Sequence, residues 1–226
     1  MIKLEKIHPA ALVFGGSGLI GSHLLNELIH DSYYEVIHVV VRRSIRLDHP
    51  RCQVYCIDFD QLEDYRDLFK VTDVYCCLGT TLKQAGTVEK FHRVDYEYPA
   101  IIARLAQQCG VKQLAVVSSV GSNENSKNYY LATKGKLEAY LRSLDSMKIY
   151  IFKPSMLLGK RKQFRFGELI GKAIFPLFSL FLIGSLSRWK AIHAGDVARA
   201  MFGCLKESGD LKNLYYNEMT VFSNRK

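Results

Sequence analysis

Three side chains in the middle of the chain have the types and spacing needed for proton transfer to a carbonyl oxygen. Tyr130 and Lys134 are four residues apart, so on a helix both lie on one face. A nearby ammonium makes a phenol a stronger acid, and an acid must meet the charge that develops on the oxygen. We predict Tyr130 as the acid, Lys134 as its cationic partner and Ser119 as a hydrogen-bond donor to the substrate oxygen.

The same residues also have plainer interpretations. In a chain with 13 tyrosines, about one Tyr-x-x-x-Lys pair is expected by chance at ordinary residue frequencies. Tyr130 and Lys134 could belong to an ordinary amphipathic helix, and Ser118 and Ser119 could cap the end of a strand. The sequence leaves open which serine faces a substrate. The order of the elements favours a catalytic role, because the helix with Tyr130 and Lys134 follows the strand that ends at the two serines.

A glycine-rich segment near the N-terminus predicts a site for a diphosphate. Gly15 permits a tight turn after a strand, Gly18 lets the backbone approach a pyrophosphate, and Gly21 lets the following helix pack closely. Free N–H groups at the start of a helix bind phosphate oxygens. We expect a cofactor that contains this diphosphate to contact Gly15, Ser17, Gly18, Leu19, Ile20 and Gly21.

Two arginines after the next strand favour a phosphorylated cofactor. Folds that prefer NAD carry an acidic residue at this position, whereas this chain has Arg42 and Arg43. A guanidinium matches a 2′-phosphate bidentately, so we predict NADPH in preference to NADH. A solvated basic turn is the alternative. Asp58, after the third strand, either accepts a hydrogen bond from the adenine amino group or caps a helix.

Strands alternate with helices along most of the chain, which predicts the sheet that must position these residues. Apolar runs predict strands at 10–14, 35–41, 53–57, 73–78, 113–117 and 148–152. Helical patterns cover 17–30, 62–69, 88–109 and 128–144. We predict an α/β fold with a Rossmann-like doubly wound parallel sheet and a small C-terminal helical extension. Residues 1–226 form one domain in this interpretation, with 160–226 packing at the carboxyl end of the sheet.

Composition limits the partners of the protein. The net charge of +9 favours anionic ligands. The sequence has no basic helix with side chains suited to reading bases, so we do not expect nucleic-acid binding. The apolar stretch 173–183 is too short to span a bilayer, so it indicates a buried or dimer-forming helix, with insertion at a membrane surface as the alternative. Phenylalanines in 160–190 could form a face for a protein partner or a homodimer.

The six cysteines include no C-x-x-C pair, and we predict no metal site. Without a secretory signal, the cytoplasm is the expected location.

The order of the glycine turn, Arg42-Arg43, Ser118-Ser119 and Tyr130/Lys134 resembles the short-chain dehydrogenase/reductase superfamily. The chain is similar in particular to the atypical branch of Tat-interacting-protein-like oxidoreductases, with which it shares Cys76-Cys77-Leu78-Gly79-Thr80-Thr81 and Val94-Asp95. The resemblance implies a Rossmann-like fold and NADPH binding. It implies cofactor contacts from Leu78, Gly79, Thr80, Ser118, Tyr130, Lys134, Pro154 and Ser155.

Three functions follow from these patterns. The first is an NADPH-dependent oxidoreductase that transfers hydride to an unidentified small-molecule carbonyl substrate. The second is an NADPH-binding sensor or scaffold with little or no catalysis, since some members of the similar branch are regulators of other proteins. The third is a protein associated with membranes or nucleic acid through its basic C-terminal segment. The extended substrate domain of sugar epimerases has no counterpart here, which argues against nucleotide-sugar substrates.

Overall fold

A sheet of seven parallel strands lies at the centre of the fold in the computed structural model, which describes residues 9–159, 184–207 and 213–224. The strands are β1 Ala10–Phe14, β2 Val36–Val41, β3 Cys52–Cys56, β4 Asp73–Cys76, β5 Gln113–Val117, β6 Lys148–Phe152 and β9 Asn213–Leu214. Their spatial order in the sheet is β3-β2-β1-β4-β5-β6-β9. The order reverses direction between β1 and β4, and ligands of such sheets bind at the carboxyl ends of the strands on either side of that point.

Helices cover both faces of this sheet. They are α1 Leu19–His30, α2 Leu82–Ala85, α3 Val88–His92, α4 Tyr98–Gln108, α5 Tyr129–Arg142, α6 Ala194–Glu207 and α7 Tyr216–Ser223. A kinked 3-10 helix spans Phe59–Phe69, and a second 3-10 helix spans Gly184–Trp189. Leu157–Leu158 (β7) and Ile192–His193 (β8) pair as a separate two-stranded sheet.

The core is divided into two layers because the central strands are apolar on both sides. In β2 the β-branched side chains alternate: Val39 packs in the layer under α1 and α6, whereas Val40 packs in the layer under α4 and α5. Strands buried on both faces are typical of parallel sheets covered by helices. The doubly wound fold and its helical C-terminal part are therefore confirmed.

The expected long helix 88–109 is broken into three parts. Val88–His92 is α-helical, Arg93–Glu97 forms a π-helical turn, and Tyr98–Gln108 is α-helical again. A π-helical turn accommodates one extra residue and often lies at a functional site. Here it carries Asp95, whose side chain is fully buried.

The segment 62–69, for which the sequence predicts a helix, lies within a 3-10 helix that begins at Phe59.

Several expectations concern residues outside the described ranges. The apolar stretch 173–183 and the basic run 160–162 are among them, as are Phe164, Phe166, Phe175, Phe178 and Phe181. Within the ranges that are described, no helix has the length and apolar character needed to cross a bilayer.

Candidate functional site

The glycine turn between β1 and α1 has the shape expected of a diphosphate cradle. Gly15 has φ +79°, and a Cβ on it would stand 2.7 Å from the carbonyl oxygen of Cys77. A Cβ on Gly21 would stand 2.1 Å from the Gly15 carbonyl oxygen, so only glycine allows α1 to pack this closely. Gly18 caps α1, and neither it nor Ser17 is covered by protein. The N–H groups at the start of α1 thus face an open turn.

Leu19 and Ile20 follow the turn but point elsewhere. The Ile20 side chain is buried in the core, and Leu19 packs close to Gly159. Only their backbone N–H groups are therefore suited to the predicted contact with a phosphate.

Both arginines after β2 are exposed at the carboxyl edge of the sheet. The guanidinium carbon of Arg42 lies 5.9 Å from the centroid of the Phe59 ring, within the range of a cation–π contact. Asp58 caps the 3-10 helix, since its side chain accepts a hydrogen bond from the Asp60 N–H at 3.0 Å. The capping interpretation of Asp58 is thus observed, and its contact with an adenine amino group remains a prediction.

The segment after β4 lies at the same edge. Leu78 is buried, Gly79 is exposed and Thr80 is half-buried. The Thr80 N–H donates a hydrogen bond to Asp95 Oδ2 at 2.8 Å. A Cβ on Gly79 would stand 3.5 Å from Asp95 Oδ1 and 3.9 Å from Lys134 Nζ. Because Gly79 has no side chain, the carboxylate of Asp95 and the ammonium of Lys134 are not covered from this side.

Lys134 and Asp95 form a buried ion pair, with 2.9 Å between Nζ and Oδ1 and side-chain exposures of 3% and 0%. Burial alone would lower the pKa of Lys134, but the charges of Asp95 and Tyr130 outweigh it and raise that pKa. Tyr130 is half-buried, and its ring centroid lies 5.7 Å from that of Phe91. Tyr130 and Lys134 both lie on α5, four residues apart, and therefore share one face of that helix.

The two serines after β5 have different surroundings. Ser118 is buried and donates a hydrogen bond to Glu138 Oε1 at 2.6 Å. Ser119 is half-buried, and within the described part of the chain its hydroxyl donates a single hydrogen bond, to the carbonyl of Val120 at 3.3 Å. The hydroxyl of Ser119 is thus the better placed of the two to bind a substrate.

Glu138 joins α5 to the ends of β5 and β6. Its Oε2 accepts hydrogen bonds from Lys153 and Arg142, each at 2.8 Å, and its Oε1 also accepts one from Ser122. Two cations thus compensate one carboxylate that is only 1% exposed. This compensation is needed because an unpaired buried charge is costly.

The residues after β6 are held by backbone contacts. The Pro154 carbonyl accepts a hydrogen bond from the Val120 N–H at 3.0 Å. The Ser155 hydroxyl donates to the carbonyl of Lys190. The hydroxyl of Ser155 is therefore engaged with protein, and its expected contact with a cofactor remains a prediction.

Trp189 ends the second 3-10 helix and lies beside the turn that follows Ser119. A Cβ on Gly121, which has φ +78°, would stand 3.0 Å from the indole ring. The Trp189 side chain is nevertheless 40% exposed. An aromatic surface thus borders the open side of the serine turn.

Sequence reasoning missed Asp95 and Glu138 as site residues. Glu138 carried a signal, because it follows Tyr130 and Lys134 at a further spacing of four and so shares their helix face. Asp95 lay within a predicted helix, where an acidic residue ordinarily faces solvent. Its burial depends on the π-helical turn, which the sequence pattern did not indicate.

The matches to known proteins agree with this geometry. The profile of the NAD dependent epimerase/dehydratase family matches residues 11–217. The chain belongs to this family. Within it, the similarity to a rat (Rattus norvegicus) protein named HTATIP2 is 31% identity over 206 residues, 89% of this chain and 83% of that protein. The atypical branch of short-chain dehydrogenases/reductases expected from the sequence is therefore confirmed.

A relative from Debaryomyces hansenii named FMP52, mitochondrial, is 34% identical over 156 residues, 68% of this chain and 69% of that protein. This relative contradicts the cytoplasmic location expected from the sequence, which was wrong. That expectation depended on the lack of a secretory signal, and such a lack does not distinguish the cytoplasm from an organelle.

A solved structure has the same fold at low identity. WbmG of Bordetella bronchiseptica in complex with NAD superposes with a TM-score of 0.67 at 17% identity, covering 98% of this chain and 78% of that one. The fold and the family together are those of an NAD-dependent epimerase/dehydratase-type oxidoreductase.

The residues of this chain fit a nicotinamide dinucleotide. The turn at Gly15–Gly21 is exposed at Ser17 and Gly18, and the exposed arginines after β2 lie at the same edge of the sheet. Lys134 supplies a fixed cation beside the open Gly79. Diphosphate, adenosine and nicotinamide ribose thus each have a matching group.

Proposed function

We propose that the protein is an NADPH-dependent oxidoreductase that reduces a carbonyl compound, with Tyr130 as proton donor. The observation that carries this proposal is the buried, charged Lys134, held on the same helix face as Tyr130 and beside the open Gly79. A lysine that served only solubility would be exposed. Lysine is almost never fully buried unless it is paired.

When bound, the reduced nicotinamide supplies the hydride. Ser119 donates a hydrogen bond to the carbonyl oxygen and orients it. Tyr130 transfers its hydroxyl proton to that oxygen as negative charge develops there, and an alcohol results. The phenolate that remains is stabilised by the Lys134 ammonium until a proton returns from solvent.

The preference for NADPH is supported by the two exposed guanidinium groups. Arg42 is steadied by the Phe59 ring, so its planar group is available to a 2′-phosphate at the edge of the sheet. No acidic side chain occupies position 42 or 43, where ribose hydroxyls would otherwise be bound.

Calorimetric titration tests the cofactor. We expect NADPH to bind at least about tenfold more tightly than NADH, a difference of about 1.4 kcal/mol. Arg42→Ala should remove most of this difference, and Arg46→Ala, another exposed arginine nearby, should not. Equal dissociation constants for the two nucleotides would exclude the proposed preference.

A pair of neighbouring tyrosines tests the proton donor. Both Tyr129 and Tyr130 pack on Phe91, but only Tyr130 has a lysine four residues later. Across a panel of aldehydes and ketones, Tyr130→Phe should abolish NADPH oxidation while its affinity for NADPH stays within a few fold. Tyr129→Phe should retain turnover. Full activity of Tyr130→Phe would refute the assignment.

Binding without turnover would favour the sensor instead. In that case NADPH would bind the wild type, no carbonyl compound would be reduced, and capture of a partner protein would depend on NADPH.

We further infer a mitochondrial location, supported by the relative named as mitochondrial. Cell fractionation with antibodies against the chain tests it, and recovery outside the mitochondrial fraction would refute it.

A further inference from the structure

The environment of the Lys134 ammonium is built from three separate elements. Asp95 on the π-helical turn lies 2.9 Å from Nζ, the carbonyl of Val117 at the end of β5 lies 3.5 Å away, and Gly79 follows β4. The other titratable groups that act on it are Tyr130 on its own helix and the thiol of Cys76 on β4. Asp95 is therefore the group in ion-pair contact with this cation.

Asp95 also binds the backbone after β4. Its Oδ2 accepts from the Thr80 N–H at 2.8 Å while its Oδ1 faces Lys134. One carboxylate thus connects α5 to the segment at which the sequence predicts a cofactor contact. Its own position is fixed by the π-helical turn, which places Asp95 inside the protein.

We propose that Asp95 is a positioning residue of the cofactor site, which keeps the Lys134 ammonium charged and fixed beside Gly79 for the sugar hydroxyls of the nicotinamide nucleotide. This inference rests on the proposed function and deepens it. Without Asp95 the buried ammonium would lose the carboxylate that is in ion-pair contact with it, and burial favours the neutral amine. A neutral amine neither stabilises a phenolate nor holds its position by an ion pair.

The carboxylate can be removed with little change in shape. Asp95→Asn retains an oxygen that accepts from the Thr80 N–H, but it removes the negative charge beside Lys134. The matched control is Glu97→Gln, because Glu97 lies on the same π-helical turn with its side chain 46% exposed and paired with His92 and Arg93. Both changes convert one acid to its amide.

The first measurement needs no cofactor. Protein labelled with 13Cε-lysine is titrated by NMR, and the Lys134 signal is assigned by its loss in Lys134→Met. We expect the wild-type midpoint to lie above the ordinary lysine value of 10.5. Asp95→Asn should lower that midpoint by at least about one pH unit. Glu97→Gln should leave it unchanged.

The second measurement is the dissociation constant of NADPH at pH 7 and pH 10. In Asp95→Asn we expect binding to weaken at least about threefold more across this interval than in the wild type, because more of the Lys134 ammonium is lost by pH 10. Introducing Asp95→Asn into Lys134→Met should have no further effect on affinity, since the residue acts through the lysine.

An unchanged Lys134 midpoint in a folded Asp95→Asn protein overturns the inference. If that variant does not fold, as circular dichroism would show, the wild-type midpoint decides: a value below 10.5 overturns the inference and a value above it supports it. Failure of the wild type to bind NADPH would defeat the proposed function, while the lysine titration would still decide the role of Asp95.

Discussion

The Ser118 hydroxyl donates to Glu138 Oε1 at 2.6 Å, and both side chains are almost completely buried. The hydroxyl of its neighbour Ser119 makes a longer hydrogen bond, which it donates to the Val120 carbonyl at 3.3 Å. The two adjacent serines thus differ: the Ser118 hydroxyl connects β5 to α5, and the Ser119 hydroxyl is the one that we propose binds the substrate.

Alanine at each serine should separate these tasks. Ser118→Ala leaves a Glu138 oxygen with one donor fewer, so unfolding in urea should show a loss of about 1–2 kcal/mol. Ser119→Ala should unfold within about 0.5 kcal/mol of the wild type but lower kcat for a carbonyl substrate at least about tenfold. The reverse pattern would mean that Ser118 is the serine that binds substrate.

The buried cation beside Glu138 gives a second prediction. Glu138→Gln leaves Lys153 without its counter-charge at 6% side-chain exposure, and we expect a loss of about 3–5 kcal/mol in the free energy of unfolding. Arg142→Gln removes the other, 52% exposed cation and should cost less than about 1 kcal/mol. Similar losses for the two variants would contradict the burial argument.

The glycine turn predicts different effects for two of its members. In Gly21→Ala the new methyl group would stand 2.1 Å from the Gly15 carbonyl oxygen, more than 1 Å closer than an ordinary van der Waals contact. The backbone must therefore move, and the thermal midpoint should fall by several degrees. Gly18→Ala meets the same oxygen at 3.1 Å. We expect it to fold nearly as stably as the wild type but to weaken NADPH binding at least about tenfold, because the methyl group enters the open turn.

Gly110→Ala provides a control for backbone strain alone. Gly110 has φ +75°, but no atom of the described ranges lies within 4 Å of the position that its Cβ would take. Its alanine variant should lose about 1 kcal/mol of stability without any effect on NADPH affinity. Wild-type NADPH affinity in Gly18→Ala would show that the turn does not hold the diphosphate.

A buried carboxylate at the opposite end of the sheet predicts a dependence of stability on pH. Asp73 accepts hydrogen bonds from Tyr34 at 2.6 Å and Gln113 at 3.1 Å, yet burial raises its pKa from 3.8 to about 6. The folded state therefore holds this proton more tightly than the unfolded state. The contribution to stability is present at low pH and is lost as the pH rises from about 4 through 6.

Comparison with Asp73→Asn isolates this contribution. Relative to the variant, the wild type should be about 1–2 kcal/mol more stable at pH 5 than at pH 7.5, as measured by urea unfolding at both pH values. A difference between the two proteins that does not change with pH would contradict a raised pKa for Asp73.

Much of the fold was predictable because its signals are local. The strands 10–14, 113–117 and 148–152 agree with β1, β5 and β6, since each is a short apolar run bounded by polar or turn-forming residues. The two-residue strand β9 was not predicted. It pairs with β6 far along the chain, and two residues carry no periodicity of their own.

The partners within the site were less predictable than its members. Tyr130 and Lys134 follow from helical spacing, but the contact of Lys134 with Asp95 depends on a π-helical turn between α3 and α4. Likewise, the sequence could not distinguish Ser118 from Ser119. The two serines differ because the hydroxyl of Ser118 bonds to Glu138, which lies on α5 and is distant along the chain.

The position of Trp189 makes its fluorescence a probe of the proposed ligand site. It is the one tryptophan in the chain, so all indole emission comes from a single place, next to the Gly121 turn and in partial contact with water. Reduced nicotinamide absorbs light in the range where indole emits. Binding of NADPH or of a substrate near Trp189 can therefore be followed without any label, through quenching of its emission, energy transfer to the nicotinamide or a blue shift of the emission.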